Sequence, residues 1–115
     1  MNRTDNKKFG LNLERRTRKF AVIIIQLSSL LPKSPEGNVL KNQITKSGTS
    51  IGENYREANR SRSKADFRNR IKICESEASE TQYKLEVIME ARMLSEETLK
   101  QGHQECGELL AFSPQ

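Results

Sequence analysis

The 115-residue sequence is poor in the residues that build sheets, metal sites and membrane spans. It has no tryptophan, one histidine, two cysteines, three prolines and six glycines, and only 5% of its residues are aromatic. So few glycines and prolines argue against an all-β chain, which needs many turns. The longest strongly apolar run, residues 20–25, is far shorter than the ~20 residues that cross a bilayer, so no membrane partner is expected.

What the sequence does contain is typical of solvated helices in a single domain. Charged residues make up 30% of it, and leucine, isoleucine, glutamate, lysine and arginine recur throughout. The charged N-terminus lacks the apolar core of a signal peptide. Cys74 and Cys106 form neither a CxxC pair nor a disulfide framework. We therefore expect a cytoplasmic protein with both thiols reduced.

The net charge of +5 is distributed unevenly along the chain. Residues 1–20 carry seven Lys/Arg against two acids, and residues 56–72 carry seven against two, so each segment has a net charge of +5. Residues 75–108 hold nine glutamates against three basic residues, a net charge of −6. This segregation favours either polyanion binding or self-association between opposite patches, although charge runs also simply keep helical surfaces soluble.

Apolar and small residues recur every three or four positions in four segments, which predicts four helices. Pro32 and Pro35 end the first helix, which is expected from about residue 11. Ser34, Ser63 and Ser95 are the predicted N-caps of the other three. The fold class is therefore all-α, an antiparallel up-down-up-down four-helix bundle.

The spacing also predicts which side of each helix is buried. Gly48 and Gly52 lie inside the second helix, where glycine costs about 1 kcal/mol, and we interpret them as points of close helix–helix approach. The buried seam of the fourth helix is expected to contain Leu99, His103, Cys106 and Leu110, with Leu109 and Phe112 flanking it. The inward positions of the third, 28–30-residue helix are Phe67, Ile71, Cys74, Ala78, Thr81, Leu85 and Ile88. The domain is expected to span residues 11–112, between a flexible basic N-terminus (1–10) and a frayed tail (113–115).

Catalytic and metal-binding chemistry is mostly missing from the sequence. His103 and Cys106 are three residues apart, but with Cys74 as the only obvious third ligand they make a poor zinc site. Glu75, Glu77 and Glu80 lack the Glu-x-x-His pairs of carboxylate-bridged metal bundles, and Glu77 or Glu80 is better interpreted as a hydrogen-bond acceptor for Asn54, Ser50 or an arginine. There is no phosphate-binding loop and no nucleophile elbow. We expect no catalytic residue, no metal, no cofactor and no enzyme activity.

One stretch of the sequence carries a resemblance to a known family. Residues 43–58, QITKSGTSIGENYREA, together with Leu31-Pro32-Lys33, Ser63-Lys64-Ala65-Asp66-Phe67 and Glu77-Ala78-Ser79-Glu80-Thr81, resemble a bacterial four-helix bundle family. Its members are encoded within intervening sequences of 23S ribosomal RNA genes or described as ribosomal-protein-like. The resemblance covers residues 11–112, with departures at Lys46, Gly48 and Cys74.

This family is similar in fold to the accessory variability determinant of diversity-generating retroelements. That protein is a pentameric barrel of four-helix bundles that binds nucleic acid and partners a reverse transcriptase. The resemblance therefore implies a homo-oligomer of five subunits with a basic face.

The leading hypothesis is a non-enzymatic, oligomeric protein that binds nucleic acid, RNA rather than DNA, by backbone and shape. The alternative is an interaction scaffold that docks a reverse transcriptase or another protein. Arginine and lysine in the two basic segments are the candidate contacts to phosphate. The predicted nucleic-acid-binding residues are Arg15, Arg16, Arg18, Lys19, Arg56, Arg60, Arg62, Lys64, Arg68, Arg70 and Lys72.

Overall fold

Four antiparallel helices form the bundle that the sequence predicts. A computed structural model describes the backbone of residues 3–111 and the side chains of residues 7–111. The helices are α1 (Arg3–Ser28), α2 (Pro35–Asn59), α3 (Lys64–Glu90) and α4 (Glu96–Ala111). α1 and α3 each pack on α2 and on α4, so α1 and α3 lie diagonally opposite each other in the bundle. The molecule is elongated, with principal extents of 48 × 22 × 21 Å.

Within residues 3–111 there is no strand, and no helix there combines the length and apolar character needed to span a bilayer. The three predicted N-caps are confirmed. The hydroxyl oxygen of Ser34 accepts from the Gly37 amide, that of Ser63 from the Asp66 amide, and that of Ser95 from the Thr98 amide, each at 3.1 Å. These bonds satisfy amides that have no partner within their helices.

The first helix begins at Arg3, eight residues before its predicted start. Its early turns rest on α2, because the Asn59 side-chain amide donates to the Gly10 carbonyl over 3.3 Å. The division into a flexible N-terminus, one domain and a frayed tail stays a prediction. Phe112 and the tail 113–115 lie outside the described residues.

The core follows the predicted periodicity closely. On α3, six of the seven predicted inward positions are buried, from Ile71 to Ile88. The predicted close approach at the α2 glycines is confirmed as well. A Cβ on Gly48 would lie 2.8 Å from Ile24 Cγ2, and one on Gly52 would lie 3.1 Å from Thr17 Oγ1. Both glycines therefore let α1 and α2 pack closely.

The register of α4 differs from the prediction. Its buried residues are Leu99, Gly102, Cys106 and Leu109. Gly102 faces the core in place of His103. At this point α4 lies so close to α1 that a Cβ on residue 102 would be 2.9 Å from Leu27 Cδ1. The imidazole of His103, one residue later, lies at the edge of the bundle.

The predicted inward position of Phe67 is also wrong, since this residue is 36% exposed. Leu85 follows it by 18 residues, which is five helical turns, so both lie on the same side of α3. Leu85 is covered by the bundle and only 1% exposed. The difference arises from the length of α4: its 16 residues reach about 24 Å, whereas the 27 residues of α3 reach about 40 Å.

Candidate nucleic-acid interface

The basic segments meet at one end of the bundle, which we call the basic end. There α1 begins, α2 ends and α3 begins. The pairing of Asn59 with Gly10 and of Arg56 with Glu14 (Nε to Oε1, 3.5 Å) places the end of α2 beside the first turns of α1. The α2–α3 turn, residues 60–63, carries Arg60 and Arg62 at the tip. Ten of the eleven predicted contact residues are exposed, and Arg16 is half-buried.

Arg16 differs from the other predicted contacts because it joins α1 to α4. Its Nε donates to Glu105 Oε1, and its Nη2 donates to Glu105 Oε2 at 3.1 Å and to Glu108 Oε1 at 2.9 Å. The pKa of Arg16 is raised, chiefly by the hydrogen bond to Glu105 and to a smaller extent by the bond to Glu108. Desolvation acts in the opposite direction. This guanidinium therefore acts as a structural tether between helices.

Three more of the predicted arginines line a polar groove on the α1–α2 side. Arg18, Arg56 and Arg70 share this groove with three glutamates, Glu14, Glu53 and Glu57. In addition, Arg70 Nη1 donates to Asn54 Oδ1 at 3.1 Å, and the amide of Asn54 donates to Ser50, so neither Glu77 nor Glu80 accepts from Asn54. Equal numbers of acids and bases leave this groove with no net positive charge.

A shallow depression at the α2–α3 turn brings further predicted residues together. Arg60, Arg62 and Arg70 line it with Glu57 and Asp66, so its formal charge is +1. Arg60 and Arg62 are exposed and form the outer tip of the basic end.

One group of cations has no acidic residue among its lining neighbours. Arg62, Lys64 and Arg68 line a shallow site around Phe67, together with Ser61 and Ser63. Lys72 follows Arg68 by one turn and is exposed on the same helix. We call Arg62, Lys64 and Arg68 the cation cluster. Its formal charge is +3, compared with +1 for the depression at the α2–α3 turn and zero for the polar groove.

Arg15 and Lys19 are exposed four residues apart on α1. They lie toward the middle of the bundle, about 1.5 and 2.5 turns along α1 from Gly10. They extend the basic end along α1, away from the cation cluster on α3. The predicted residues thus form several separate groups rather than one continuous patch.

An apolar groove opens beside the cation cluster, with a volume of about 420 Å³. It lies between α1 and α3, over α2, and Leu109 lines it near the end of α4. The Cys106 thiol donates to the Ala78 carbonyl at 3.2 Å, and α4 ends five residues later at Ala111, so within the described residues α4 does not reach the start of α3. The main apolar lining residues of the groove are Leu13, Tyr55, Ala58, Phe67, Ile71 and Leu109.

The thiols and the imidazole do not converge on a reactive centre. Cys74 and Cys106 are buried free thiols, and burial raises their pKa values to about 11 and about 12. His103 Nε2 lies 3.1 Å from Glu86 Oε2 on α3. Among residues 7–111, no three His, Cys, Asp or Glu side chains group as a metal ion would require. Raised thiol pKa values keep both sulfurs protonated at neutral pH, the form that is neither nucleophile nor metal ligand.

The sequence reasoning missed the apolar groove and the exposure of Phe67. The signal was available in the lengths of the predicted helices, since a fourth helix a dozen residues shorter than the third leaves part of α3 uncovered. The α2–α3 turn lies within residues 56–72, which places this basic segment at one end of the bundle.

Comparison with known proteins identifies relatives of the chain. The family model described as 23S rRNA-intervening sequence protein matches residues 10–112. A solved structure from Bacteroides thetaiotaomicron VPI-5482, described as a protein with unknown function from the S23 ribosomal protein family, is 35% identical. The match covers 85% of this chain and 91% of that one, with a TM-score of 0.80. No curated protein matches the chain.

Proposed function

Because the chain belongs to the 23S rRNA-intervening sequence protein family, we propose that it is a non-enzymatic, oligomeric protein that binds structured RNA through the basic end of its bundle. The observation that carries the proposal is the cation cluster. Arg62, Lys64 and Arg68 are exposed together with no acid among their lining neighbours. Phosphate is the ligand that such a group favours, because arginine and lysine release counterions from a polyanion when they bind it.

Backbone contacts dominate this mode of binding. The helices at the basic end present long, exposed basic side chains around a turn, and such side chains contact phosphates without reading base sequence. RNA is preferred to DNA in the proposal because folded RNA offers irregular arrangements of phosphates that a compact patch recognises by shape. The family's description, which refers to 23S rRNA, supports the same choice.

The proposal of a protein without enzyme activity rests on the state of the reactive side chains. Both thiols are buried with raised pKa values, and the single imidazole, that of His103, contacts the carboxylate of Glu86. A thiol kept protonated and a half-exposed imidazole on another helix face supply no activated nucleophile. The two free thiols also support a location in the cytoplasm.

Self-association is supported by the outer side of α1. Leu11, Val22 and Ile25 are each about half exposed there, and their spacing places them on one side of the helix, with Arg18 between. Apolar side chains in a row on an outward helix face are typical of subunit contacts. Five subunits is the number that the family resemblance implies. Light scattering tests this part, and a mass near that of the 13.2 kDa monomer would contradict it.

The RNA proposal is tested with two matched triple variants. R62Q/K64Q/R68Q removes the cation cluster, whereas R18Q/R56Q/R70Q removes the same charge from the groove that also holds three glutamates. Affinity for a structured RNA is measured between 50 and 200 mM salt. The first variant should bind more weakly, and its log–log salt slope should fall by about 2 to 3 because each lost phosphate contact contributes ~0.9. The R18Q/R56Q/R70Q variant should show much smaller changes in affinity and in salt slope.

Equal losses in the two variants would show that only net charge matters and would contradict a defined site. Far-ultraviolet circular dichroism must show the parent's helical signal in both. If neither variant loses affinity, the basic end is a solubilising surface, and the outer side of α1 then favours the second candidate function, a scaffold that docks a reverse transcriptase or another protein.

A further inference from the structure

The groove at the basic end is a position in the bundle that residues 7–111 leave unfilled. Phe67 and Leu85 share one side of α3, and Arg68 and Glu86 share another, since each pair is separated by 18 residues. Glu86 contacts α4 through His103, whereas Arg68 projects on the same side of α3 but beyond the end of α4. Residues 7–111 therefore leave the space beyond the end of α4 open, and the cation cluster borders it.

Phe67 is the residue that joins the two surfaces. It lines the apolar groove with Ile71 and Tyr55, and it also lies in the middle of the cation cluster. Phe67 is 36% exposed, and it borders the apolar groove on one side and the three cations on the other. A ligand that satisfies both surfaces must carry a flat apolar group and negative charge within a few ångströms of each other.

A nucleotide has that combination in a single unit. Its base has apolar faces that stack on an aromatic ring, and its phosphate pairs with arginine or lysine. Lys64 and Arg68 are one turn apart, about 6 Å along the axis, which is similar to the separation of successive phosphates in an extended strand. A base held within a duplex is stacked on its neighbours and cannot enter the groove.

The polar groups in the groove suit the edge of a base. Burial raises the pKa of Tyr55 to about 12, with smaller contributions from Cys74 and Glu14, so its phenol stays protonated and able to donate. Ser61 lines both the groove and the cation cluster. Tyr55 and Ser61 thus give the groove two hydroxyl-bearing side chains among its lining residues, beside Phe67.

We propose that this groove binds an unpaired nucleobase of an RNA strand, stacked on Phe67, while Arg62, Lys64 and Arg68 hold the adjoining phosphates. The inference rests on the proposed function and specifies which feature of the RNA is recognised: a bulge or a single-stranded junction rather than a continuous duplex.

The test uses three hairpin RNAs that differ at one position: a single bulged adenosine, the same bulge as an abasic ribose, and a fully paired stem. The parent should bind the adenosine bulge about tenfold more tightly than the abasic bulge, a typical effect for one stacked base. F67A should bind these two RNAs equally and bind the paired stem as the parent does. F67L, which keeps an apolar side chain without the ring, serves where F67A fails to fold.

A matched variant separates stacking from charge. K64Q/R68Q should weaken binding of all three hairpins by similar factors and preserve the ratio between the adenosine and abasic bulges. A bulge that carries 2-aminopurine gives an independent signal, since stacking on Phe67 should quench its fluorescence when the parent binds. The protein has no tryptophan to interfere with that signal.

The outcomes distinguish this inference from the proposed function. If the parent binds no hairpin, both fail. If it binds all three alike, or if F67A keeps the tenfold ratio, the base is not recognised and the inference is overturned while RNA binding stands.

If F67A instead changes the oligomeric mass, the groove is a contact between copies. If the tenfold preference for the adenosine bulge over the abasic bulge appears only after residues 112–115 are deleted, the chain's own end fills the groove. Either result overturns the inference for the full chain.

Discussion

Gly48 and Ile24 are packed so closely that no side chain fits between their helices. A Cβ on Gly48 would lie 2.8 Å from Ile24 Cγ2 and 3.0 Å from Cγ1, while Ile24 itself is fully buried. Real Cβ atoms do not approach neighbours at such distances, so the isoleucine or the whole of α1 would have to move. The absence of a side chain at residue 48 therefore sets the distance between α1 and α2.

This contact predicts opposite effects for the same substitution at two glycines. Gly48→Ala should lower the free energy of unfolding by about 1 to 3 kcal/mol, as overpacking of a core does. Gly107→Ala should raise it by about 0.5 to 1 kcal/mol, because alanine favours the helix and the nearest atom to its Cβ is Gln82 Nε2 at 3.7 Å. Urea unfolding followed by circular dichroism measures both. Stabilisation by Gly48→Ala would show that the α1–α2 distance is adjustable.

The tether between α1 and α4 gives a second prediction. Arg16→Gln should lower the free energy of unfolding by about 1 kcal/mol, since it removes a two-point contact with Glu105 in which both side chains are about one-quarter exposed. The exposed neighbour Arg15 provides the control, and Arg15→Gln should change stability by less than about 0.5 kcal/mol.

A double-mutant cycle with Glu105→Gln isolates the pair. The coupling energy should be about 0.5 to 1 kcal/mol at low salt and should shrink in 1 M NaCl, because screening weakens partly exposed pairs. Coupling near zero at both salt concentrations would show that the Arg16–Glu105 pair does not stabilise the contact between α1 and α4.

The buried positions of α3 were predictable because they follow a single periodic pattern in the sequence. The positions from Ile71 to Ile88 recur every three or four residues, and any bundle must cover the stripe that they form. Gly48 and Gly52 were likewise informative, since glycine within a helix is costly without a packing reason. Local sequence therefore specifies the four helices, their caps and most of the core.

The features that the sequence did not predict depend on how far the helices overlap. Phe67 continues the buried stripe in sequence but lies beyond the end of α4, so its exposure follows from the lengths of two helices together. The partner of Arg16 depends on the register of α1 against α4, which no periodicity within α1 encodes. The cation cluster is local to the start of α3, but the sequence does not show that Asp66, in the same turn, lines the neighbouring depression and not this site.

The buried thiols lead to a prediction about reactivity and pH. Burial disfavours the thiolate and raises the pKa values of Cys74 and Cys106 to about 11 and about 12, so at pH 8 only about a thousandth of Cys74 is ionised. Alkylation of the native protein should be slow and should rise about tenfold per pH unit between 7 and 9.5. Single-cysteine variants should show Cys74, which lines the groove, reacting before Cys106. A rate that levels off near pH 8.5 would instead indicate reaction through an opened state in which the thiols are exposed.

The last prediction concerns Glu77, whose carboxyl is partly buried on α3. Desolvation raises its pKa, and the nearby Glu80 raises it further, while Lys84 and Lys46 act in the opposite direction. A carboxyl with a folded-state pKa above its unfolded value binds its proton more tightly when folded, so it destabilises the native state once it ionises. The penalty is absent at low pH and develops as pH rises through the folded-state pKa. Glu77→Gln removes it and should raise the free energy of unfolding at pH 7 by less than about 0.5 kcal/mol, with the gain disappearing near pH 4. Urea unfolding of parent and variant at both pH values measures this gain, and a difference that does not change with pH would show that the effect is steric rather than electrostatic.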